Sequence, residues 1–186
     1  MLTRIIEIHN PDIAAHAREV ASLAHRAGPL MGLTGDELTE LELAANFHDV
    51  GKTAVPDRVL LKRGQLDGSE WRVMACHAEW GAELIVHLPG CATVASIVRH
   101  HHESWDGSGY PDGLAGGDIP RASRMIGVCD AYAAMVADRP YRPALGPTVA
   151  RETIARAAGS QFDPNAVAAV LEALSRGQRQ WASKKR

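Results

Sequence analysis

The chain has 186 residues, of which 46% are hydrophobic and 23% charged, as in a single soluble globular domain. Its formal net charge of −2 gives no global field that would attract the chain to nucleic acid or to a membrane. No apolar stretch could span a bilayer, no signal peptide is recognisable, and the three cysteines lack CxxC spacing, so we predict a cytoplasmic protein.

The hydrophobic periodicity is helical almost throughout, and strand signals are weak, so we predict an all-α fold, a compact helical bundle. The predicted helices, in chain order, cover residues 11–27, 35–50, 67–88, 92–103, 121–138 and 148–158, with a last short helix from residue 164. Residues 104–120 form a long glycine-rich loop, and loops of that length in compact domains are usually functional.

Cap residues support several of these boundaries. Asn10 and Asp163 each precede a proline, the usual order of an N-cap and a first helical position. Thr34 and Glu37 have the spacing of a capping box. Gly51 follows the second helix, at a position where helix C-termini favour glycine.

Polar side chains with metal-binding chemistry recur on helix faces that are otherwise apolar: His48, Asp49, His77, His101, His102 and Asp130. Taken singly, each has a simpler explanation, because helical histidines are usually surface or hydrogen-bonded core residues and an HD dipeptide is common by chance. Asp130, however, lies within the apolar run RMIGVCDAYAAMV, where a buried carboxylate needs a cation. Together the six residues, spread over four predicted helices, indicate a metal site inside the bundle.

The type of ligand limits the metal. Imidazole and carboxylate without thiolate suit iron, manganese, zinc or nickel better than a structural zinc or a calcium cage. Six ligands are too many for one catalytic ion with open positions, so two ions are expected. Paired ions are the usual apparatus for phosphoester hydrolysis, which makes a phosphohydrolase the expected class.

Several ordered motifs resemble those of the HD-GYP phosphodiesterases, a branch of the HD-domain metal-dependent phosphohydrolases. They are HDVGK at 48–52, HHE at 101–103, DGSGYP at 106–111, DRPYR at 138–142 and FDP at 162–164. The resemblance covers residues 10–175, so we expect one HD-GYP domain over 1–186 with a basic tail at 176–186.

The resemblance implies an all-helical enzyme that hydrolyses cyclic di-GMP to pGpG, to GMP or to both. It implies metal ligation by His48, Asp49, His77, His101, His102 and Asp130. Asp49 would bridge two ions, Fe or Mn, and Lys52 would contact the scissile phosphate or the nucleophile, which makes these two the catalytic residues. Tyr110 would line the substrate pocket, and Arg139 and Arg142 would bind substrate phosphate or guanine.

The N-terminal helix and the HHH run add finer expectations. Some family members bind a third metal through a glutamate and a histidine four residues later; this chain has the shorter Asp12 and His16 at those places. His100 is expected to face solvent. Glu103 either orients a ligand histidine or caps the loop, and we favour the former.

Cyclic di-GMP is the expected partner, together with a GGDEF-domain, sensory or receiver protein that supplies the signal, and a homodimer is a further expectation. No receiver, PAS or GGDEF module is recognisable, so the chain is either a stand-alone enzyme or an output domain. Two alternatives stay open. One is a phosphohydrolase of another nucleotide, such as hybrid cyclic GMP-AMP or a nucleoside monophosphate, and the other is a catalytically silent module that binds cyclic di-GMP or a GGDEF protein.

Overall fold

The computed structural model describes residues 11–138 and 143–183, and these two ranges form nine α-helices. The helices are α1 Pro11–Ala27, α2 Asp36–Phe47, α3 Asp57–Leu60, α4 Gly68–Ala75, α5 His77–Val86, α6 Ala92–Arg99, α7 Arg121–Val136, α8 Pro147–Arg156 and α9 Pro164–Ser183. Short 3-10 turns occur at Gly28–Met31, Val50–Ala54 and Gly116–Asp118. The described ranges contain no β-strand, only one isolated bridge, which confirms the predicted all-α bundle.

Helix α1 lies at the centre of the bundle, packed against α2, α7 and α9. Its buried face is rich in small residues: Ala14, Ala17, Val20, Ala21, Leu23, Ala24 and Ala27. Small side chains let neighbouring helices approach closely, and larger aliphatic residues from those helices fill the remaining space. Leu41 of α2, for example, is fully buried, and burial of such a side chain stabilises the fold by about 2 kcal/mol.

Two predicted helices end earlier than their periodicity indicated. The predicted helix over 67–88 divides at Cys76 into α4 and α5, and α6 ends at Arg99 rather than at residue 103. At both places a histidine side chain donates a hydrogen bond to a main-chain carbonyl of the preceding helix, from His77 to Met74 and from His101 to Val98. A side-chain donor thereby occupies a carbonyl that a continuing helix would use.

Gly51 has a different role from the one predicted. Its φ angle is not positive, so the chain does not need glycine there for a left-handed C-terminus. The turn Val50–Ala54 instead packs directly on α5, where a Cβ atom on Gly51 would lie 2.0 Å from the carbonyl oxygen of His77. Glycine is required because two stretches of backbone touch, and this contact brings Asp49 next to His77.

The predicted caps are partly correct. Asp163 accepts a hydrogen bond from the main-chain N–H of Asn165 at 2.8 Å, as expected of a residue that opens α9. The capping box at Thr34 is half formed: the Glu37 carboxylate accepts from the Thr34 N–H at 3.2 Å, but Gly35 is the N-cap and the Thr34 hydroxyl does not cap the helix. The last helix, predicted to be short, extends to Ser183.

The loop over 104–120 is present as predicted, with one 3-10 turn. Main-chain hydrogen bonds tie its first residues to the segment before α9: Trp105 donates to Gln161 at 3.0 Å and Asp106 to Ser160 at 2.9 Å. None of the helices in the described ranges has the length and apolar character needed to cross a membrane.

Candidate metal centre

Three histidines project inward from three helix ends. His48 follows the last residue of α2, His77 opens α5 after the break, and His101 lies two residues beyond α6. Each ring donates from Nδ1 to the carbonyl three residues earlier, at 2.8 Å for His48, 2.7 Å for His77 and 2.6 Å for His101. Because a carbonyl oxygen can only accept, Nδ1 must carry the proton, and Nε2 is left as a free lone pair directed into the bundle.

Burial keeps the rings of His77, His101 and His102 neutral. The exposed fractions are 0% for His48, 2% for His77 and 1% for His101. Burial lowers the pKa of His77, lowers that of His101 well below its usual range, and lowers that of His102 to about 3. Neutral imidazole is the form that binds a metal, so no proton has to be displaced from His77, His101 or His102 near neutral pH.

Asp49 lies between two of the rings. Its Oδ2 is 3.5 Å from Nε2 of His48, and its Oδ1 is 3.4 Å from Nε2 of His77. Lys52 donates from Nζ to Oδ2 at 2.6 Å. Burial acts to raise the pKa of Asp49, but the charge and the hydrogen bond of the Lys52 ammonium outweigh it, and the pKa lies well below its usual range. The carboxylate is therefore ionised, and each of its two oxygens lies next to a different histidine Nε2 atom.

Several buried polar atoms of this cluster have no hydrogen-bond partner among the residues that the structure describes. They are Nε2 of His48, Oδ1 of Asp49 and Nε2 of His101. Buried polar groups are nearly always satisfied, and an unsatisfied one costs about 1–3 kcal/mol. A divalent cation would be a partner for all three atoms, so the donor set fits the metal that the sequence predicts.

Ligand atoms within 4.8 Å of one another form three groups in residues 11–138 and 143–183: His77–His101–His102, His16–His48–Asp49 and His100–Glu103–Asp112. The first two share the cluster described above, and His102 Nε2 lies 3.2 Å from His77 Nε2. The structure thus brings together five of the six predicted ligands and His16. Asp12 belongs to none of these groups, although it lines a cavity together with His16 and Asp49.

Asp130 joins the cluster through α1. Its Oδ1 accepts a hydrogen bond from Nε2 of His16 at 2.7 Å and lies 3.9 Å from Nε2 of His48. Burial acts to raise the pKa of Asp130, but the hydrogen bond from His16 holds it below its usual range. The partner that an aspartate in an apolar helix requires is therefore a histidine 114 residues away in the sequence.

Tyr110 closes one side of the cluster. Its ring stacks on the His102 imidazole, with centroids 5.0 Å apart and planes at 27°. The main-chain N–H of Tyr110 also donates to the carbonyl of His102, at 3.3 Å. The predicted substrate residues Arg139 and Arg142 lie outside the described residues.

The third group, His100–Glu103–Asp112, is not an open metal site, because its side chains bind one another and hold the glycine-rich loop. Arg99 donates to both oxygens of Asp112, at 2.8 and 2.7 Å, and His100 Nε2 lies 2.9 Å from Asp112 Oδ2. Glu103 accepts from the main-chain N–H of Asp112 at 2.8 Å. The expectation that His100 faces solvent is wrong. The favoured role for Glu103 is also wrong: it holds the loop, and main-chain carbonyls orient the ligand histidines instead.

Neither Arg99 nor Asp112 was predicted to matter, yet together they fix the loop two residues from Tyr110. The sequence shows an arginine at a helix C-terminus and an aspartate in a glycine-rich loop, both common surface residues. The bidentate ion pair between them depends on the tertiary fold, so no local pattern reveals it.

A family model described as HD domain matches residues 1–166, most of the chain. The chain belongs to the HD-domain family. The resemblance to HD-domain phosphodiesterases predicted from the motifs is thereby confirmed. HD-domain phosphohydrolases depend on metal ions, in agreement with the cluster of histidines and aspartates.

Curated relatives of this HD domain are phosphodiesterases by name. It is 36% identical to 3'3'-cGAMP-specific phosphodiesterase 2 of Vibrio cholerae, over 92% of this chain and 33% of the relative. It is 38% identical to the cyclic di-GMP phosphodiesterase response regulator RpfG of Xanthomonas campestris pv. campestris, over 91% and 46%. It is 34% identical to a cyclic di-GMP phosphodiesterase of Thermotoga maritima, over 92% and 47%. The HD domain spans less than half the length of these relatives.

Solved structures show the same fold at lower identity. A HDG"Y"P protein from Bdellovibrio bacteriovorus aligns with a TM-score of 0.70 and 18% identity, over 88% of this chain and 52% of that one. The PgpH HD domain of L. monocytogenes, solved in complex with cyclic-di-AMP, aligns with a TM-score of 0.66 and 16% identity, over 96% and 95%. These likenesses support the HD-domain helical bundle and nothing finer.

Proposed function

We propose that this chain is a metal-dependent phosphodiesterase that hydrolyses cyclic di-GMP to pGpG, to GMP or to both. The observation that carries the proposal is the buried cluster of neutral imidazoles and ionised carboxylates, with ligand atoms that lack any partner. The names of the curated relatives support the substrate class. In a purely structural cluster these Nε2 atoms would be expected to have hydrogen-bond partners, because buried polar groups are nearly always satisfied.

The proposed ligands are His48, Asp49, His77, His101, His102 and Asp130, with His16 beside them. Asp49 lies within 3.5 Å of the Nε2 atoms of both His48 and His77, so this carboxylate would be shared if two divalent ions, Fe or Mn, were bound. A third ion at His16 would also need Asp12, whose carboxylate lies outside these groups. When bound, such ions activate water and stabilise negative charge on phosphoryl oxygens.

The chain's own residues would hold the substrate. Lys52 is a quarter exposed beside Asp49, so its ammonium can contact a phosphate oxygen without leaving the carboxylate. Tyr110 covers His102 and excludes water from that side of the cluster. Arg139 and Arg142 remain predicted contacts to phosphate or guanine, since guanidinium groups match both chemistries.

A cavity of about 690 Å³ adjoins the cluster, within the range of small-molecule sites. Its described lining carries the carboxylates of Asp12, Glu19, Asp49 and Asp138. A dianionic cyclic dinucleotide would be repelled by these charges, so bound cations are needed for substrate to approach. Substrate affinity should accordingly depend on metal loading.

A second candidate is hydrolysis of hybrid cyclic GMP-AMP, because relatives at similar identity carry that specificity in their names. Silent binding has less support, since a pure binding module has little use for the buried metal ligands, and the names of the relatives favour a cyclic dinucleotide over a nucleoside monophosphate. Cytoplasmic location, a GGDEF, sensory or receiver partner and a homodimer remain predictions.

A substrate panel tests the proposal. Protein loaded with Mn or Fe should convert cyclic di-GMP to pGpG, with a higher kcat/KM than for 3'3'-cGAMP and with little activity on GMP. The products would be separated by chromatography under one metal loading. A higher kcat/KM for 3'3'-cGAMP would reassign the substrate, and binding of cyclic di-GMP without turnover under every metal would make the chain a receptor.

A further inference from the structure

A tryptophan lies at the outer edge of the site. Trp71, on α4, is 46% exposed, whereas most large apolar side chains in the described ranges are buried or half-buried. Its indole contacts the ring of Tyr110 edge to face, with centroids 5.0 Å apart and planes at 80°. Because Tyr110 stacks on His102, three aromatic rings lead in two steps of 5.0 Å from the metal cluster to the surface.

The position of Trp71 relative to the cluster is fixed. Its helix begins at a complete capping box formed by Asp67 and Glu70. The same helix ends where the Met74 carbonyl accepts the hydrogen bond from His77. A helix held at both ends keeps Trp71 at a constant place beside the cluster, although nearly half of the residue remains in contact with water.

Resting on the proposed function, we propose that Trp71 is a stacking platform for one purine base of the bound cyclic dinucleotide. With the phosphodiester held at Asp49 and Lys52, a base that extends past Tyr110 reaches Trp71. Every purine presents a flat π face, and an exposed indole is the side chain that stacks best on it. The exposed apolar surface, unfavourable in the free protein, is then covered in the complex.

Two substrates separate this role from a structural one. Cyclic di-GMP carries its bases on ribose, away from the phosphate, whereas the rings of bis(4-nitrophenyl) phosphate are bonded directly to the phosphate oxygens and stay beside the cluster. In the metal-loaded protein, Trp71→Ala should raise KM for cyclic di-GMP on the order of tenfold, the loss expected for one stacked base, with kcat changed much less. The kcat/KM for bis(4-nitrophenyl) phosphate should stay the same. Trp71→Phe, which keeps an aromatic face, should recover most of the loss.

Val149 provides a matched control, because it is also 46% exposed and lies on α8, which carries no residue of the cluster. Val149→Ala should leave both substrates unaffected. A readout independent of turnover is tryptophan fluorescence: cyclic di-GMP should quench the emission on mixing, and less so in Trp71→Phe.

An unchanged KM for cyclic di-GMP in Trp71→Ala, or an equal loss on both substrates, would overturn the platform while leaving the proposed function intact. If the wild type turned over 3'3'-cGAMP but not cyclic di-GMP, the proposed function would fall. The platform would then be judged in the same way on the hybrid dinucleotide, which also carries purines.

Discussion

Asp49→Asn should lower phosphodiesterase turnover by about 10³-fold, because a bridging carboxylate contributes several kcal/mol to charge stabilisation at a paired metal site. Asp49 lies within 3.5 Å of both His48 and His77, so one substitution disturbs both ligand groups. Asparagine has nearly the same shape, and the helical circular dichroism should be retained. Bound metal per chain should fall in parallel with activity.

Asp163→Asn is the matched control for this substitution. Asp163 is as deeply buried as Asp49, at 2% against 3% exposed, and it also has a cationic partner, Arg124, at 3.1 Å. It caps α9 and is not part of the metal cluster. Its replacement should lower the melting temperature without changing metal content or kcat. Full turnover in Asp49→Asn, or an equal activity loss in both variants, would contradict the proposed role of Asp49.

Gly51→Ala should destabilise the fold by about 3 kcal/mol, at the upper end of the cost of overpacking. The added Cβ would lie 2.0 Å from the carbonyl oxygen of His77 and 2.5 Å from the main-chain nitrogen of Gly81. Both atoms belong to backbone, so α5 as a whole must move away from the turn that follows Asp49. In a chain of this size such a loss lowers the melting temperature by roughly 6–12 °C.

Gly117→Ala serves as the control, because a Cβ there would meet no atom within 4 Å and its φ is not positive. That variant should stay within about 0.5 kcal/mol of wild type. Gly51→Ala should also lose metal, because displacement of α5 separates His77 from Asp49. A wild-type melting temperature for Gly51→Ala would mean that the close contact between the turn and α5 is absent in solution.

Much of the fold could be predicted from the sequence because its signals are local. The helical periodicity and the proline after Asp163 depend on neighbouring residues, and the structure confirms the all-α bundle and the start of α9. The candidate ligands could be found for a related reason. Histidines and aspartates on apolar helix faces are costly, so each one marks a place where another part of the fold must supply a partner.

The features that could not be predicted have two causes. Some depend on contacts between residues distant in sequence, and others on histidine side chains that compete with the main chain for helix carbonyls. Periodicity continues through residues 76 and 100, but histidine Nδ1 atoms take helix carbonyls there and the helices end. Gly51 was correctly marked as special for the wrong reason, since its close neighbour is α5. The Arg99–Asp112 pair and the His16–Asp130 hydrogen bond join elements far apart in the chain, and no local pattern encodes them.

Metal dependence of product formation tests the central claim most directly. Protein stripped with a chelator would be assayed on cyclic di-GMP before and after addition of Fe or Mn, with metal per chain measured on the same samples. We predict no turnover in the stripped protein and formation of linear pGpG once about two ions per chain are bound. Undiminished turnover by stripped protein, or metal-loaded protein that binds cyclic di-GMP without cleaving it, would contradict the account.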